Sequence, residues 1–329
     1  MTQSNPPLLD VRGLSLSVAT GDGLMPVVRD MSFSLNASET LGIVGESGCG
    51  KSLTSLAIMG LLEGTPVRVT AGEILFQGRD LLTLPPRERR RIMGNEMSMI
   101  FQEPMTSLNP VYRIGDQIVE TIREHQPMSK SAARTRAVEL LRMVRIPDPE
   151  GRIDSYPHQL SGGMRQRVMI AMALAGSPRL LIADEPTTAL DVTVQAQILK
   201  LIADLQSETG MGIILISHDL GVIAETCDRI AVMYRGRVVE SAETRDLFAT
   251  MRHPYTRGLL DSIPEPDEDV DRLPTIPGRV PGLDERVDGC AFNPRCARAS
   301  AVCREEDPGE TAFGGGHAAR CHHPLEPDA

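Results

Sequence analysis

Three stretches of this sequence combine residue types that could bind and cleave a phosphoanhydride. Gly45-Glu46-Ser47-Gly48-Cys49-Gly50-Lys51-Ser52 fits the spacing G-x-x-x-x-G-K-[ST]. Glycines at those points let backbone N–H groups converge on phosphate oxygens, and Lys51 can reach the β- and γ-phosphates. The Ser52 hydroxyl can ligate Mg²⁺, and a helix starting there points its positive end at the anion. In the second stretch, Leu180–Ala183 runs apolar into Asp184 and Glu185. Asp184, at a strand's carboxyl end, can hold Mg²⁺ through water, and Glu185 can polarise a water that attacks the γ-phosphate. A solvated strand end has the same composition; the glycine-rich loop upstream favours the chemical reading. The third stretch is Ser161, Gly162 and Gly163, followed by Met164-Arg165-Gln166-Arg167. A serine and two glycines opening a helix offer exposed N–H groups and the helix dipole to an anion, although a plain N-cap uses the same residues.

The elements around these stretches suit them. Thr40–Val44 is a continuous apolar run before the loop, as expected of a buried strand, and Leu53–Leu62 after it reads as helix. Leu9–Val11, Leu14–Val18 and Met31–Leu35 alternate like half-buried strands. Ile114–His125 and Ala132–Val144 carry apolar residues at three- and four-residue spacing, inside a helical block at about 105–178. Leu180–Ala183, Gly212–Ile216 and Ile230–Tyr234 return as strands, with Val192–Thr209 helical between them. Strand–helix–strand alternation predicts an α/β fold on a mostly parallel sheet, with the helical block as an inserted subdomain.

Length and composition set the frame. The 329 residues carry 34 Lys+Arg against 44 Asp+Glu, a net charge of −10, which removes a general electrostatic case for nucleic acid or anionic lipid. Hydrophobic residues at 41% suit one large or two modest globular domains, and aromatics at 3% leave the core to aliphatics and Met. No apolar run approaches the roughly 20 residues that cross a bilayer, and the polar N-terminus lacks signal-peptide character, so a cytosolic chain is expected. In a reducing cytosol the six cysteines are candidates for metal ligation, catalysis or burial rather than disulfides. Cys49 and Cys227 stand alone and read as buried thiols.

The order of the motifs closely resembles the ATP-binding cassette (ABC) ATPase family over roughly residues 8 to 250. That resemblance implies a P-loop ATPase core using ATP and Mg²⁺, with hydrolytic competence. It implies that Gln102, after Met99-Ile-Phe, is the Q-loop glutamine that links Mg²⁺ and water to a transmembrane partner, and that Asp191, in Thr188-Ala-Leu-Asp, belongs to the D-loop. His218, in Ile216-Ser-His-Asp, is similar to the switch histidine that contacts the γ-phosphate. In this family two cassettes face each other, so Ser161, Gly162, Gly163 and Gln166 would serve a nucleotide held mainly by the partner. The aromatic that commonly stacks on adenine aligns with Val18, and Leu14–Thr20 holds no aromatic.

The C-terminal quarter narrows the resemblance. Arg252-His-Pro-Tyr-Thr-Arg-Gly-Leu-Leu260, Gln102–Pro110 and Tyr156–Leu160 resemble ATPases of dipeptide, oligopeptide and nickel importers, with His253 and Tyr255 read as a structural turn. The expected organisation is a nucleotide-binding domain at 1–250 and an extension at 251–329, in which Ser262–Gly289 is an extended connector. Cys290, Cys296, Cys303 and Cys321 follow, separated by five, six and seventeen intervening residues, in a segment too poor in aliphatics to form its own core. Four thiolates there point to a metal replacing that core. The absence of a C-x₂-C pair suits a larger cluster better than zinc. By resemblance the group is a [4Fe–4S] cluster; zinc, with His317, His322 or His323, and unliganded thiols are the alternatives. The expected function is ATP hydrolysis energising peptide import at the cytoplasmic face of the membrane. Its partners would be a second cassette (this chain or a homologue), two permease subunits and an extracytoplasmic solute-binding protein, with no nucleic acid. Import of nickel or another small solute, and a soluble non-transport cassette acting as a switch, are the alternative readings.

Overall fold

The N-terminal alternation folds as two long strands where the pattern predicts three short ones: β1 (Leu9–Thr20) and β2 (Gly23–Leu35). Register shifts between Arg12 and Leu16 absorb the residues that interrupt the alternation, so the strand bends without ending. The buried run is β3 (Thr40–Val44), and α1 (Lys51–Ile58) starts inside the glycine-rich loop, two residues before the predicted helix. Next come β4 (Val67–Phe76), β5 (Arg79–Asp80), α2 (Pro86–Ile92) and β6 (Met97–Ile100). The helical block holds α3 (Ile114–His125), α4 (Lys130–Met143) and α5 (Gly162–Ala173). After it follow β7 (Leu180–Asp184), α6 (Val192–Thr209), β8 (Gly212–Ser217), α7 (Leu220–Thr226), β9 (Arg229–Tyr234) and β10 (Arg237–Glu243). Last are α8 (Thr244–Ala249), α9 (Pro254–Asp261), α10 (Ala301–Glu305), β11 (Thr311–Gly314) and β12 (His317–Ala319). The computed structural model describes residues 6–21, 23–102, 107–188, 190–262 and 275–327. Most of the predicted connector (263–274), residues 103–106 of the Gln102–Pro110 string and residue 189 of the D-loop lie outside these.

The chain divides into two compact units. One comprises Met1–Leu8, Leu35–Glu39 and Leu81–Ile216. Its strands β6, β7 and β8 pair in parallel, with Met97 opposite Leu180 and Leu180 opposite Gly212. Leu180–Ala183 are fully buried, as a strand covered on both faces requires. In the helical block α3 buries Ile114, Ile118, Val119 and Ile122, and α4 buries Ala133, Ala137, Leu140 and Leu141. These stripes bring α3, α4 and α5 together; each fully buried Leu or Ile contributes roughly 1.5–3 kcal/mol.

The other unit comprises Leu9–Ser34, Thr40–Asp80 and Ser217–Ala329. It holds a sheet in the order β2-β1-β4-β5 and a run of strands in the order β11-β12-β10-β9-β3. There β3 and β9 pair in parallel, whereas β9–β10, β10–β12 and β11–β12 are antiparallel, as is β1–β4. The sheets are therefore mixed, which corrects the expectation of a mostly parallel sheet. The reversal after β9 is local: Arg235 (φ 45°) and Gly236 (φ 81°) both take positive φ, the backbone of a tight hairpin. A Cβ at position 236 would lie 2.2 Å from the Val27 carbonyl oxygen, so glycine is required there.

The tail, too poor in aliphatics for a core, is anchored in two ways. Its hairpin β11–β12 extends the sheet edge, with Glu240 opposite Ala319. Phe292 inserts among Tyr234 and Tyr255, with ring centroids 5.2 and 5.4 Å away. His253 caps α9, its Nδ1 accepting the Tyr255 N–H at 3.0 Å. Burial pushes the His253 pKa down to about 4 against the pull of Glu240, which keeps that nitrogen free to accept. Residues 275–289 form no helix or strand. Among the described residues no helix is long and apolar enough to cross a membrane.

Candidate functional site

In the second unit the glycine-rich loop wraps around its own lysine. Lys51 is buried, and its Nζ donates to the carbonyl oxygens of Gly45 at 2.6 Å and Glu46 at 3.1 Å. The loop thus presents a fixed cation at a helix N-terminus while Ser47 and Gly48 stay exposed. Gly45 has no alternative: a Cβ there would lie 2.2 Å from the Met233 carbonyl oxygen. Gly50 caps α1 at φ 104°, outside the range of L side chains, and Ser52 is half-buried on the first turn. Cys49 is buried, its Sγ 3.8 Å from Lys51 Nζ, and burial pushes its pKa up, so it is a packed thiol. Cys227 is likewise buried, with its pKa raised to about 12 by desolvation. His218 is exposed just after β8, and Val18 is half-buried in β1.

Glu46 is the most constrained residue of this loop. Its N–H donates to Tyr255 Oη at 2.9 Å, and its carboxylate takes both terminal nitrogens of Arg295, at 2.7 and 3.1 Å. Neither partner is legible in the sequence, because they lie 209 and 249 residues away with no spacing signal between them.

In the first unit, Asp184 ends β7 and is 3% exposed. Glu185 follows with φ 46°, a left-handed conformation that costs roughly 1–2 kcal/mol for a residue with a Cβ. Both its backbone and its carboxylate are held there. Its N–H donates to the Ile216 carbonyl at 3.0 Å, and its Oε2 accepts from both Gln102 Nε2 and Thr188 Oγ1 at 2.9 Å. Strain of this kind concentrates where a side chain must be aimed. Both bonds hold the carboxylate through Oε2. Gln102 itself is exposed. Thr188, which the motif reading passed over as part of the D-loop string, is thus a third member of this group.

Ser161 is exposed and caps α5, its Oγ accepting the Met164 N–H at 3.3 Å. Gly162 is exposed beside it; a Cβ on Gly163 would meet Val194 Cγ1 at 2.7 Å, so that glycine serves the close approach to α6. Gln166 differs from these: it is fully buried, with no hydrogen-bond partner for either amide atom among the described residues. Its place on the inner face of α5 sets it apart from the exposed Ser161 and Gly162. Asp191 caps α6 through Val194 N–H at 2.9 Å.

In the tail, Cys290, Cys296, Cys303 and Cys321 all line one small pocket, together with His322 and His323. Burial pushes up the Cys290 and Cys296 thiols and takes Cys321 to about 11, with further contributions from neighbouring cysteines. No group of three or more His, Cys, Asp or Glu among the described residues is placed to hold a metal ion. His317 is engaged elsewhere, with Nε2 2.8 Å from Glu240 Oε1, and does not line the cavity.

Residues 28–188 match the family model described as ABC transporter, and residues 239–303 match the one described as oligopeptide/dipeptide transporter, C-terminal region. The chain is 52% identical over 313 residues to the dipeptide transport ATP-binding protein DppD of Escherichia coli, covering 94% of this chain and 95% of that one. It is 52% identical over 320 residues to DppD of Haemophilus influenzae, covering 97% and 96%. Among solved structures, a dimeric post-hydrolysis state of the ATP-binding cassette MJ0796 bound to ADP and Pi aligns with a TM-score of 0.64 at 28% identity, over 72% of this chain and 99% of that one.

Proposed function

The chain belongs to the ABC transporter ATPases, and from that premise we propose that it hydrolyses ATP to energise the import of dipeptides or oligopeptides. The observation that carries this reading is the relation to DppD along nearly the whole chain, tail included.

The residues divide the work by their chemistry. Lys51 and the N–H groups of Gly45–Ser52 bind the phosphates, with Ser52 and Asp184 holding Mg²⁺, the latter through water. Glu185 accepts the proton of the attacking water, Gln102 and Thr188 fix its carboxylate, and His218 contacts the γ-phosphate. Ser161, Gly162 and Gly163 serve a nucleotide held by a second cassette, this chain or a homologue, and the dimeric state of MJ0796 supports such pairing. Asp191 shapes the D-loop, Gln166 supports α5 from within, and Val18 gives adenine an aliphatic contact. Closure on ATP and reopening after hydrolysis then drive two permease subunits loaded by an extracytoplasmic binding protein, with this chain peripheral at the cytoplasmic face. In domain terms, 1–250 form the nucleotide-binding domain, with its helical subdomain at about 105–178, and 251–329 the extension. The two family-model matches support that division. The test is ATP hydrolysis by the assembled transporter, which should rise when the binding protein is loaded with dipeptide. Indifference to peptide would remove the assignment.

We also propose that Cys290, Cys296, Cys303 and Cys321 hold a [4Fe–4S] cluster. What supports it is the donor set, four thiols lining one pocket, with sequence spacing that suits a cluster better than a zinc knuckle. Burial disfavours the thiolates of Cys290, Cys296 and Cys321, and a bound metal group would supply the positive charge that favours them, as a structural staple. Cys296→Ser should lose bound iron and the visible thiolate-to-iron absorption. Unchanged iron and zinc content would remove Cys296 as a ligand.

A further inference from the structure

The tail reaches the phosphate loop at Glu46, and all the groups involved belong to one compact unit. Four atoms of Glu46 are held at once. Its N–H goes to Tyr255 Oη, its carboxylate to Arg295 and its carbonyl oxygen to Lys51 Nζ. The lysine that meets the phosphates therefore rests on a residue fixed by the tail.

Arg295 is built for a fixed position rather than for solvent. Its side chain is 4% exposed, with Nε donating to the Pro277 carbonyl at 3.0 Å and Nη2 also to the Ile276 carbonyl at 3.3 Å. The guanidinium lies 5.9 Å from the Tyr234 ring centroid. Tyr255 is fully buried, 4.7 Å from the Tyr234 ring and 5.4 Å from Phe292. A bidentate guanidinium–carboxylate pair sets orientation as well as distance, which a single lysine ammonium cannot do. A tail needing only to be attached would already be held by the β10–β12 pairing and the Phe292 ring cluster. The ion pair instead ends on the side chain of a loop residue whose backbone N–H is held by Tyr255 Oη.

We propose that Arg295 and Tyr255 are positioning residues for the nucleotide site: by clamping Glu46 they preorganise the phosphate loop and Lys51 for the phosphates of ATP. The proposal rests on the nucleotide reading above. Preorganisation raises affinity by removing ordering cost at the moment of binding, so loss of the clamp appears in ATP affinity and not only in stability.

The experiment is equilibrium titration of the full-length chain with a fluorescent ATP analogue, at a temperature where circular dichroism shows each variant folded. Arg295→Met and Glu46→Gln should each raise the dissociation constant about tenfold, the scale of one charge-assisted contact. The double variant should raise it by far less than the product of the two, because both remove one interaction. Tyr255→Phe deletes a single oxygen while keeping the ring cluster, and should give about a threefold rise even if Arg295→Met fails to fold. Affinities within about twofold of wild type in the folded variants, or effects of Arg295→Met and Glu46→Gln that multiply, would reduce the clamp to a tail staple and overturn the proposal. A wild-type chain that does not bind the analogue would overturn the nucleotide reading itself, a result distinct from unchanged variants.

Discussion

Glu185→Gln is expected to lower ATP turnover between about a hundredfold and ten-thousandfold in the assembled transporter while leaving ATP binding intact. The geometry makes this substitution unusually clean. Gln102 Nε2 and Thr188 Oγ1 both donate to Oε2, so a glutamine carbonyl oxygen can take that place and keep both bonds. The amide NH₂ then falls where Oε1 stood, a donor where a proton acceptor is needed. The left-handed backbone at residue 185 is unaffected, since both side chains strain it equally. Hydrolysis within about threefold of wild type would exclude Glu185 as the general base.

The second large effect is on binding. Lys51→Ala should weaken ATP affinity about a hundredfold, the scale of a buried charge-assisted contact to phosphate. Its Nζ satisfies the carbonyls of Gly45 and Glu46, so alanine removes the cation and also leaves two acceptors facing the anion. Equilibrium titration with a fluorescent ATP analogue measures it. An affinity close to that of wild type would mean that the loop binds something other than the nucleotide phosphates.

Local chemistry was the legible part of this sequence. The glycine-rich loop, the strand ending in Asp184 and the serine-capped helix at 162 each carry their signal within eight residues, and each forms the element expected. Helices α3 and α4 were readable because a buried stripe repeats every three or four residues. The mixed character of the sheets was not. β10 follows β9 through a two-residue turn whose first member is arginine, a residue rare at positive φ, so the hairpin was hidden. Nor could periodicity show that His253 and Tyr255, read as a turn, cap a helix and reach the phosphate loop. Gln166 stood with exposed anion-binding neighbours in the motif, yet helical geometry turns it inward three residues later. The long-range pairs, Tyr255 and Arg295 on Glu46, exist only once the tail has folded against the loop's own unit.

Uptake of labelled dipeptide into proteoliposomes containing this chain, its cassette partner, the permease pair and the loaded binding protein tests the central claim most directly. Import that requires ATP on the cassette side and falls to background with Glu185→Gln is the predicted result. Peptide uptake that proceeds equally with the variant, or ATP hydrolysis without any peptide movement, would contradict it.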